Sequence, residues 1–253
     1  MRDKPLVFRY ALGAWEMVSD LRIPFVGQGV SSEVSLIFFP LLGALCGVVC
    51  VLIGSLAGVL TNPIAGAVVF AAAATAFVLT KDSLRGVSLL GSLLFNRRRC
   101  GEFGAALKYV SPDYGLDDDP AASIVKPALA IGEFILFLLM GRYCSAWFLP
   151  FVFAGGFTVQ GALAAEFGIV DDPDRTYLKV MWGVFAVIGV ISFLSFQLAT
   201  VIGAVAVYAL AVGAAKFIRA HVDAPGADLV TLCGALAELA LLLSGFFWSI
   251  RLG

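Results

Sequence analysis

Charged residues are scarce in this chain. Asp, Glu, Lys and Arg make up 14% of its 253 residues, whereas 60% are hydrophobic and the mean hydropathy is +0.97. Soluble domains carry about 25% charged residues, so the chain lacks the polar side chains that a water-facing surface requires. The composition therefore excludes an ordinary soluble protein and predicts an all-α integral membrane protein. The net charge of −1 gives no reason to expect nucleic-acid binding.

Sequence signatures of metal sites and common catalytic sites are also lacking. The single histidine, His221, excludes a multi-histidine metal site, and the five cysteines form no C-x-x-C pair. No Walker-type glycine loop, H-E-x-x-H or G-x-S-x-G sequence occurs. Most of the cysteines lie in or beside apolar runs, so we expect them to pack as small buried side chains.

Long apolar runs are abundant, and runs of about 17–25 residues predict membrane-spanning helices. The run at 177–216 is too long for one span and predicts two helices joined by a tight turn near Ser195–Gln197. The runs that predict one span each are 35–60, 65–80, 127–141, 145–165 and 227–250. Pro127 marks the start of the third of these.

The distribution of positive charge predicts the orientation in the membrane. With the N-terminus in the cytoplasm and 177–216 as two helices, only Arg142 and Arg251 of the 17 Lys and Arg residues face outwards. We therefore predict a polytopic bundle of about seven transmembrane helices with the N-terminus in the cytoplasm. The loop acids fall on the same side, so any chemistry is expected at the cytoplasmic face.

A single membrane domain is expected over residues 1–253. Its largest piece outside the bilayer is the predicted cytoplasmic loop 81–126. Within it, 87–95 is apolar but too short to span, and the basic sequence NRRRC follows. This pattern favours a helix that lies in the membrane interface and is held there by anionic lipid.

Two glutamates, Glu133 and Glu238, lie within predicted spans. An ionisable side chain is costly to place there, which makes each residue a candidate functional group. The alternative is that each carboxyl group is protonated or hydrogen-bonded in the bundle and has only a structural role.

Lys81, Asp82 and Arg85 follow the second predicted span directly. A carboxylate beside basic side chains can hold a phosphate group together with its Mg²⁺. Ordinary helix-end charge at the membrane face is the alternative interpretation.

Further aspartates lie in two other predicted cytoplasmic segments. Asp113 and Asp117–Asp119 belong to an acidic stretch that is either a solvated turn or a set of ligands for a hard cation. Asp228 follows a Pro-Gly turn and could cap the last helix.

The first predicted span has an unusual order of residues. "SDLRIP" precedes "LIFFPLLGALCGVV", in which Pro40 lies in the first turns and Gly43 and Gly47 form a G-x-x-x-G motif. Proline is tolerated in a first turn, and such a glycine pair allows another helix to approach closely.

Both ends of the chain resemble the cobalamin-5′-phosphate synthase family, also called adenosylcobinamide-GDP ribazoletransferase. Its members show T-R-x-P, then Y/T-F-P-L-x-G-x-x-x-G, and near the C-terminus K-R-x-x-x-G-G-x-T-G-D-x-L-G-A-x-x-E. The residues that match in order are Arg22, Pro24, Phe39, Pro40, Leu41, Gly43, Gly47, Lys216, Gly226, Asp228, Gly234, Ala235 and Glu238.

The middle of the chain departs from the family pattern. Where the family carries H-L-D-G-L-A-D-T-x-D-G, this chain has TKDSLRGVSLLG. The family motif has three aspartate positions. In this chain the first is occupied by Asp82, and the other two are occupied by Gly86 and Leu89. Asp113 and Gly115 in "SPDYG" are the nearest local match to the K-D-S-R-x-G motif that follows in the family.

The resemblance implies a Mg²⁺-dependent membrane transferase that joins adenosylcobinamide-GDP to α-ribazole or its 5′-phosphate and releases GMP, a late step of cobalamin biosynthesis. Its substrates are then a corrinoid and nucleotides, its location is the inner membrane of a bacterial or archaeal cell, and self-association of the chain stays open. The implied catalytic residues are Asp82, Asp113, Asp228 and Glu238, with Asp82 and Asp228 as metal ligands and Arg22, Lys81, Arg85 and Lys216 as substrate-binding residues.

Two alternatives follow from the same residues. The loss of two motif aspartates is also expected of an inactive relative that keeps the fold and serves as a binding or assembly partner. A small transporter would use Glu133, Gln197 and Glu238 along its pathway. The clustering of loop charges on one face argues against transport, because a transporter must open on both faces.

Overall fold

The computed structural model describes residues 6–18, 32–80, 120–143, 145–169, 175–222 and 227–252. All regular secondary structure in these ranges is helical, which confirms the predicted all-α class. In chain order the helices are α1 (Leu6–Val18), α2 (Ser32–Ser35), α3 (Phe38–Leu60), α4 (Pro63–Thr80), α5 (Pro120–Tyr143), α6 (Leu149–Glu166, after a 3-10 turn at Ala146–Phe148), α7 (Arg175–His221) and α8 (Ala227–Leu252).

Several of these helices have the length and hydropathy of a membrane span, so the protein is a multi-pass membrane protein. Within the described ranges, Pro63–Leu79 is a shorter apolar helix. The segments that meet both criteria are Phe38–Leu60, Ala146–Glu166, Arg175–His221 and Asp228–Phe246.

Helix α6 is the central helix of the bundle. Every residue from 151 to 161 is buried. The helix is apolar almost all round, as expected for a helix that has neighbours on every side. The ring pairs that join it to α3, α4, α5 and α7 are Phe39–Phe157, Phe77–Phe153, Phe137–Phe153 and Phe151–Phe185.

Helix α7 reverses its direction at Gln197. This residue has φ 39° and ψ −113°, outside the helical conformation. The rings of Trp182 and Tyr208 have centroids 5.8 Å apart, whereas a straight helix would separate these residues by about 39 Å. The arms 175–196 and 198–221 therefore form a hairpin, as predicted near Ser195–Gln197. The total number of membrane crossings and their orientation stay predictions.

The two ends of the bundle differ in their connections. Short links join α3 to α4 at Thr61–Asn62 and the arms of α7 at Gln197, and the 3-10 turn Ala146–Phe148 precedes α6 at the same end. The opposite end contains the last turn of α6, both ends of the α7 hairpin and the start of α8. We call it the charged end, defined by the described residues Glu166, Arg175, Lys216, Arg219 and Asp228.

Helix α5 begins earlier than the sequence predicts. The predicted third span starts at Pro127, but the helix starts at Pro120 and contains Pro127. Proline is tolerated inside membrane helices because neighbouring groups satisfy the freed carbonyl. Residues 120–126, predicted as the end of the 81–126 loop, are therefore helical. The rest of that loop, with its predicted interfacial helix, lies outside the described residues.

Candidate functional site

Glu238 is buried at the contact between α8 and α6. The residue is 5% exposed, and its carboxyl group lies directly against Gly156 of α6. Any Cβ at position 156 would overlap that carboxyl group. The missing side chain at Gly156 therefore provides the space in which Glu238 is held. The sequence-based expectation that this acid lies inside the bundle is confirmed.

Gln160 lies one turn from Gly156 and packs against Gly234 of α8. It is 2% exposed, and neither its amide oxygen nor its amide nitrogen has a hydrogen-bond partner in the described part of the chain. The helices are antiparallel, so Gln160 covers Gly234 while Glu238 covers Gly156. The sequence reasoning missed Gln160, although an amide within the apolar run 149–165 was a signal for it.

The N-terminal motif packs against the same central helix. A Cβ on Gly43 would lie 2.5 Å from the carbonyl oxygen of Phe153, and a Cβ on Gly47 would lie 2.5 Å from the Cα of Pro150. These contacts confirm the close helix approach predicted from the G-x-x-x-G motif. Pro40 is the third residue of α3, in the first turn as expected.

An ion pair connects two helices at the charged end. Glu166 at the end of α6 pairs with Arg219 on the second arm of α7. Helix α6 ends here because Gly168 adopts φ 70°, and the backbone N–H of Ile169 donates to the carbonyl of Ala164 at 3.0 Å. The pair is partly exposed, so it adds less than about 1 kcal/mol to stability. It fixes the position of Arg219 relative to α6.

Lys216 lies one turn before Arg219 on the same arm and is exposed. No carboxylate within the described ranges forms an ion pair with it. Glu166 offsets the charge of Arg219, so the three side chains together carry a net positive charge. This arrangement can bind a phosphate group.

Asp228 is the second residue of α8 and is half-buried. It lies inside the first turn rather than at the preceding capping position, and the hydroxyl of Thr231 donates to its backbone carbonyl at 2.9 Å. A carboxylate is favoured there by the helix dipole. Glu238 lies about 15 Å further along the helix. The structure therefore places these two predicted catalytic acids at different depths.

An open groove runs between the two arms of α7. It consists of two adjacent cavities of about 410 and 280 Å³, which share Trp182 and Tyr208. The larger cavity lies towards Gln197 and is apolar except for Thr200, whose buried hydroxyl has no hydrogen-bond partner among the described residues. The smaller cavity reaches the charged end, where it is bordered by Glu166, Lys216 and Arg219.

Several predicted site residues lie outside the described residues, so the pairing of Asp82 with Asp228 around Mg²⁺ stays a prediction. Where the structure does describe the chain, no group of three or more His, Cys, Asp or Glu side chains could hold a metal ion. Cys50 and Cys233 are free and buried, as expected. The predicted residues outside the described ranges are Arg22, Lys81, Asp82, Arg85, Asp113 and Asp117–Asp119.

Comparison of the chain with protein-family models, with curated proteins and with solved structures gives no significant match.

Proposed function

We propose that the protein is a membrane transferase that joins adenosylcobinamide-GDP to α-ribazole or its 5′-phosphate and releases GMP. The proposal is carried by the packing of both motif-bearing segments on one helix. Gly43 and Gly47 of the first motif contact α6, and Gly234 and Glu238 of the last motif contact the same helix. Segments that are far apart in sequence thereby share one structural centre.

The charged end is the proposed position of the substrate phosphates. Lys216 and Arg219 supply positive charge beside the groove, and Asp228 begins the next helix at the same end. Helix α4 also ends there at Thr80, and the chain continues directly into Lys81, Asp82 and Arg85. Basic side chains match phosphate oxygens, so these residues would bind and orient the diphosphate.

Mg²⁺ is the proposed metal at this end. It is usually bound by one or two carboxylates together with substrate phosphates. Asp228 fits such a site because it is half-buried in the first turn of α8 at the charged end, and Asp82 is the proposed second ligand. The bound ion would neutralise charge on the diphosphate.

In the proposed reaction, the 3′-oxygen of the ribazole sugar forms a bond to the phosphorus on the cobinamide side. The bond from that phosphorus to the GMP oxygen breaks, and the hydroxyl proton leaves to a carboxylate at the charged end. Such a transfer depends mainly on in-line positioning and on neutralising charge at the phosphates. Lys216 and Arg219 would contribute to both by holding the phosphate oxygens, and the proposed residue Asp113 would act with Asp228. Glu238, about 15 Å further along α8, would not touch phosphates held at the charged end.

The proposal is tested by turnover of a variant series in nanodiscs. Each protein receives adenosylcobinamide-GDP, α-ribazole phosphate and Mg²⁺, and GMP and the cobamide product are followed by mass spectrometry. Asp82→Asn and Asp228→Asn are expected to lower the rate at least 100-fold, on the order of the effect of losing one electrostatic group at a reacting centre.

Two control variants separate loss of chemistry from loss of structure. Thr231→Val removes the hydroxyl that bonds the Asp228 carbonyl but leaves the carboxylate, and Lys179→Gln removes a positive charge at the same end outside the groove. Both are expected to stay within a few-fold of the unmodified chain. If Asp228→Asn is as active as Thr231→Val, the proposed role of Asp228 is wrong. If no protein turns over beside an active family member, an inactive relative is the better account.

A further inference from the structure

We propose that the groove between the arms of α7 is a specific binding site for an anionic phospholipid. The phosphate would lie on Lys216 and Arg219, and one acyl chain would fill the smaller cavity and lie against Trp182 and Tyr208. This inference does not require the proposed function, and a lipid bound here would compete with the substrate diphosphate for Lys216 and Arg219.

The groove has the polarity of a lipid molecule. Its body is apolar, whereas its charged side chains lie at one end only. Of the described residues at that end, Lys216 and Arg219 are cations and Glu166 is an anion, already paired with Arg219. Basic pockets between membrane helices are typical binding sites for anionic lipid headgroups. An apolar helix from another protein would leave Lys216 without a matching group.

The length of the smaller cavity also fits an acyl chain. Along the helix axis, Tyr208 lies about 12 Å from Lys216 and about 17 Å from Arg219. Half of a bilayer hydrocarbon core is about 15 Å thick. A lipid whose phosphate lies at the charged end would therefore place the inner half of its chain against Trp182 and Tyr208, which form an edge-to-face pair.

The groove faces outwards, so a lipid can enter it from the bilayer. Tyr208 and Val212, which line the smaller cavity, are 61% and 37% exposed. General annular lipid would also cover these side chains, but it would show no preference for a negative headgroup. Headgroup preference at Trp182 is therefore the property that distinguishes a specific site from ordinary solvation.

The test uses Trp182 as a fluorescent reporter. In a variant with Trp15→Phe, Trp147→Phe and Trp248→Phe, Trp182 is the only tryptophan. This protein is reconstituted without substrate in phosphatidylcholine that contains a small fraction of phosphatidylglycerol or phosphatidylcholine with brominated acyl chains. At equal mole fraction, we expect brominated phosphatidylglycerol to quench Trp182 more strongly.

Matched variants identify the two parts of the site. Lys216→Gln is expected to lower the preference for phosphatidylglycerol about fivefold, the effect of one basic residue near an anionic headgroup. Ala215→Leu, which places a larger side chain in the smaller cavity, is expected to lower quenching by both lipids. Lys179→Gln and Ala209→Leu lie on the same arms outside the groove and are expected to leave quenching unchanged.

Equal quenching by the two brominated lipids would show annular lipid only and would overturn the proposal. So would a preference that Lys216→Gln leaves intact. Native mass spectrometry of the unmodified chain and of Lys216→Gln provides a second readout that does not depend on the tryptophan substitutions. We expect fewer retained phosphatidylglycerol molecules on the variant. A lipid-free dimer would instead assign the groove to a second copy of the chain.

Discussion

Individual glycines determine how closely α6 approaches its neighbours. At Gly43 the atoms nearest to an added Cβ are backbone atoms of Phe153 and Ala154, at 2.5–2.8 Å. Backbone atoms in a packed helix cannot rotate away as a side chain can. The contact between α3 and α6 therefore depends on the absence of a single methyl group.

Gly43→Ala is predicted to destabilise the protein by about 1–3 kcal/mol, because the added methyl group forces the two helices apart. Gly213→Ala is the matched control, since no atom lies within 4 Å of a Cβ at that helical position. That control is expected to be neutral or more stable by up to about 1 kcal/mol, from helix propensity alone. Thermal unfolding in detergent measures both. Equal melting temperatures would contradict the packing described for Gly43.

Burial of the Gln160 amide group is expected to lower the stability of the folded protein. Both atoms of its amide group are buried without a hydrogen-bond partner in the described residues, and a buried unsatisfied group costs about 1–3 kcal/mol. Gln160→Met keeps the size of the side chain and is predicted to raise the melting temperature. If the variant is less stable, the amide group has a partner in the membrane, such as a bound water.

Thr158→Val is the comparison for Gln160→Met. The hydroxyl of Thr158 lies on the same helix and is equally buried, but it donates to the carbonyl of Ala154 at 2.6 Å. Removal of a satisfied hydrogen bond is expected to lower stability by about 1 kcal/mol. The two variants should therefore change the melting temperature in opposite directions.

Among the helices, α7 has the geometry on which the groove and the charged end depend. Its reversal at Gln197 creates the groove and returns Lys216 and Arg219 to the end where α6 finishes. A straight α7 would place Lys216 far from Glu166. The hairpin is therefore necessary for the charged end to exist.

The reversal of α7 can be measured with spin labels at Lys179→Cys and Ala220→Cys in a chain whose native cysteines are replaced. We predict that the two labels lie within about 20 Å of each other, because packed helices are 8–10 Å apart. A straight helix would separate them by about 62 Å. Double electron–electron resonance distinguishes the two values. Labels at Lys179→Cys and Leu194→Cys lie on one arm and serve as the control, at about 23 Å in either geometry.

The sequence was sufficient to predict the helices whose length is limited by the bilayer. The apolar run at 177–216 exceeds one span, and for that reason the turn at Gln197 was predictable. The start of α5 was not predictable from the sequence. Proline is common at helix starts, and only the surrounding packing allows Pro127 to lie inside a helix. The central position of α6 was also missed, since every span is apolar and composition alone does not rank their burial.

The candidate site was predictable only where a residue is unusual for its surroundings. Glu238 stood out as an acid in an apolar run, and the structure places it in the interior. The pairing of Glu166 with Arg219 and the groove beside Lys216 were not predictable. Both depend on how the arms of α7 pack against α6, which no local sequence pattern specifies.

For the whole molecule, the orientation in the membrane can be measured by labelling cysteines at the two ends of the bundle in intact cells. The positive-inside rule predicts that the charged end faces the cytoplasm. Arg142→Cys, at the opposite end, should react with a membrane-impermeant maleimide added outside the cell. Arg175→Cys should react only after the membrane is permeabilised. The reverse pattern would invert the orientation and remove the proposed site from the cytoplasm.

The central claim is that the intact protein carries out the transfer itself. The most direct measurement is a mass balance for the unmodified chain in nanodiscs with Mg²⁺, adenosylcobinamide-GDP and α-ribazole phosphate. The account predicts equal amounts of GMP and cobamide product, with neither formed when either substrate or the protein is omitted. GMP without the cobamide product would indicate hydrolysis, and the absence of both products, beside an active family member, would contradict the proposed function.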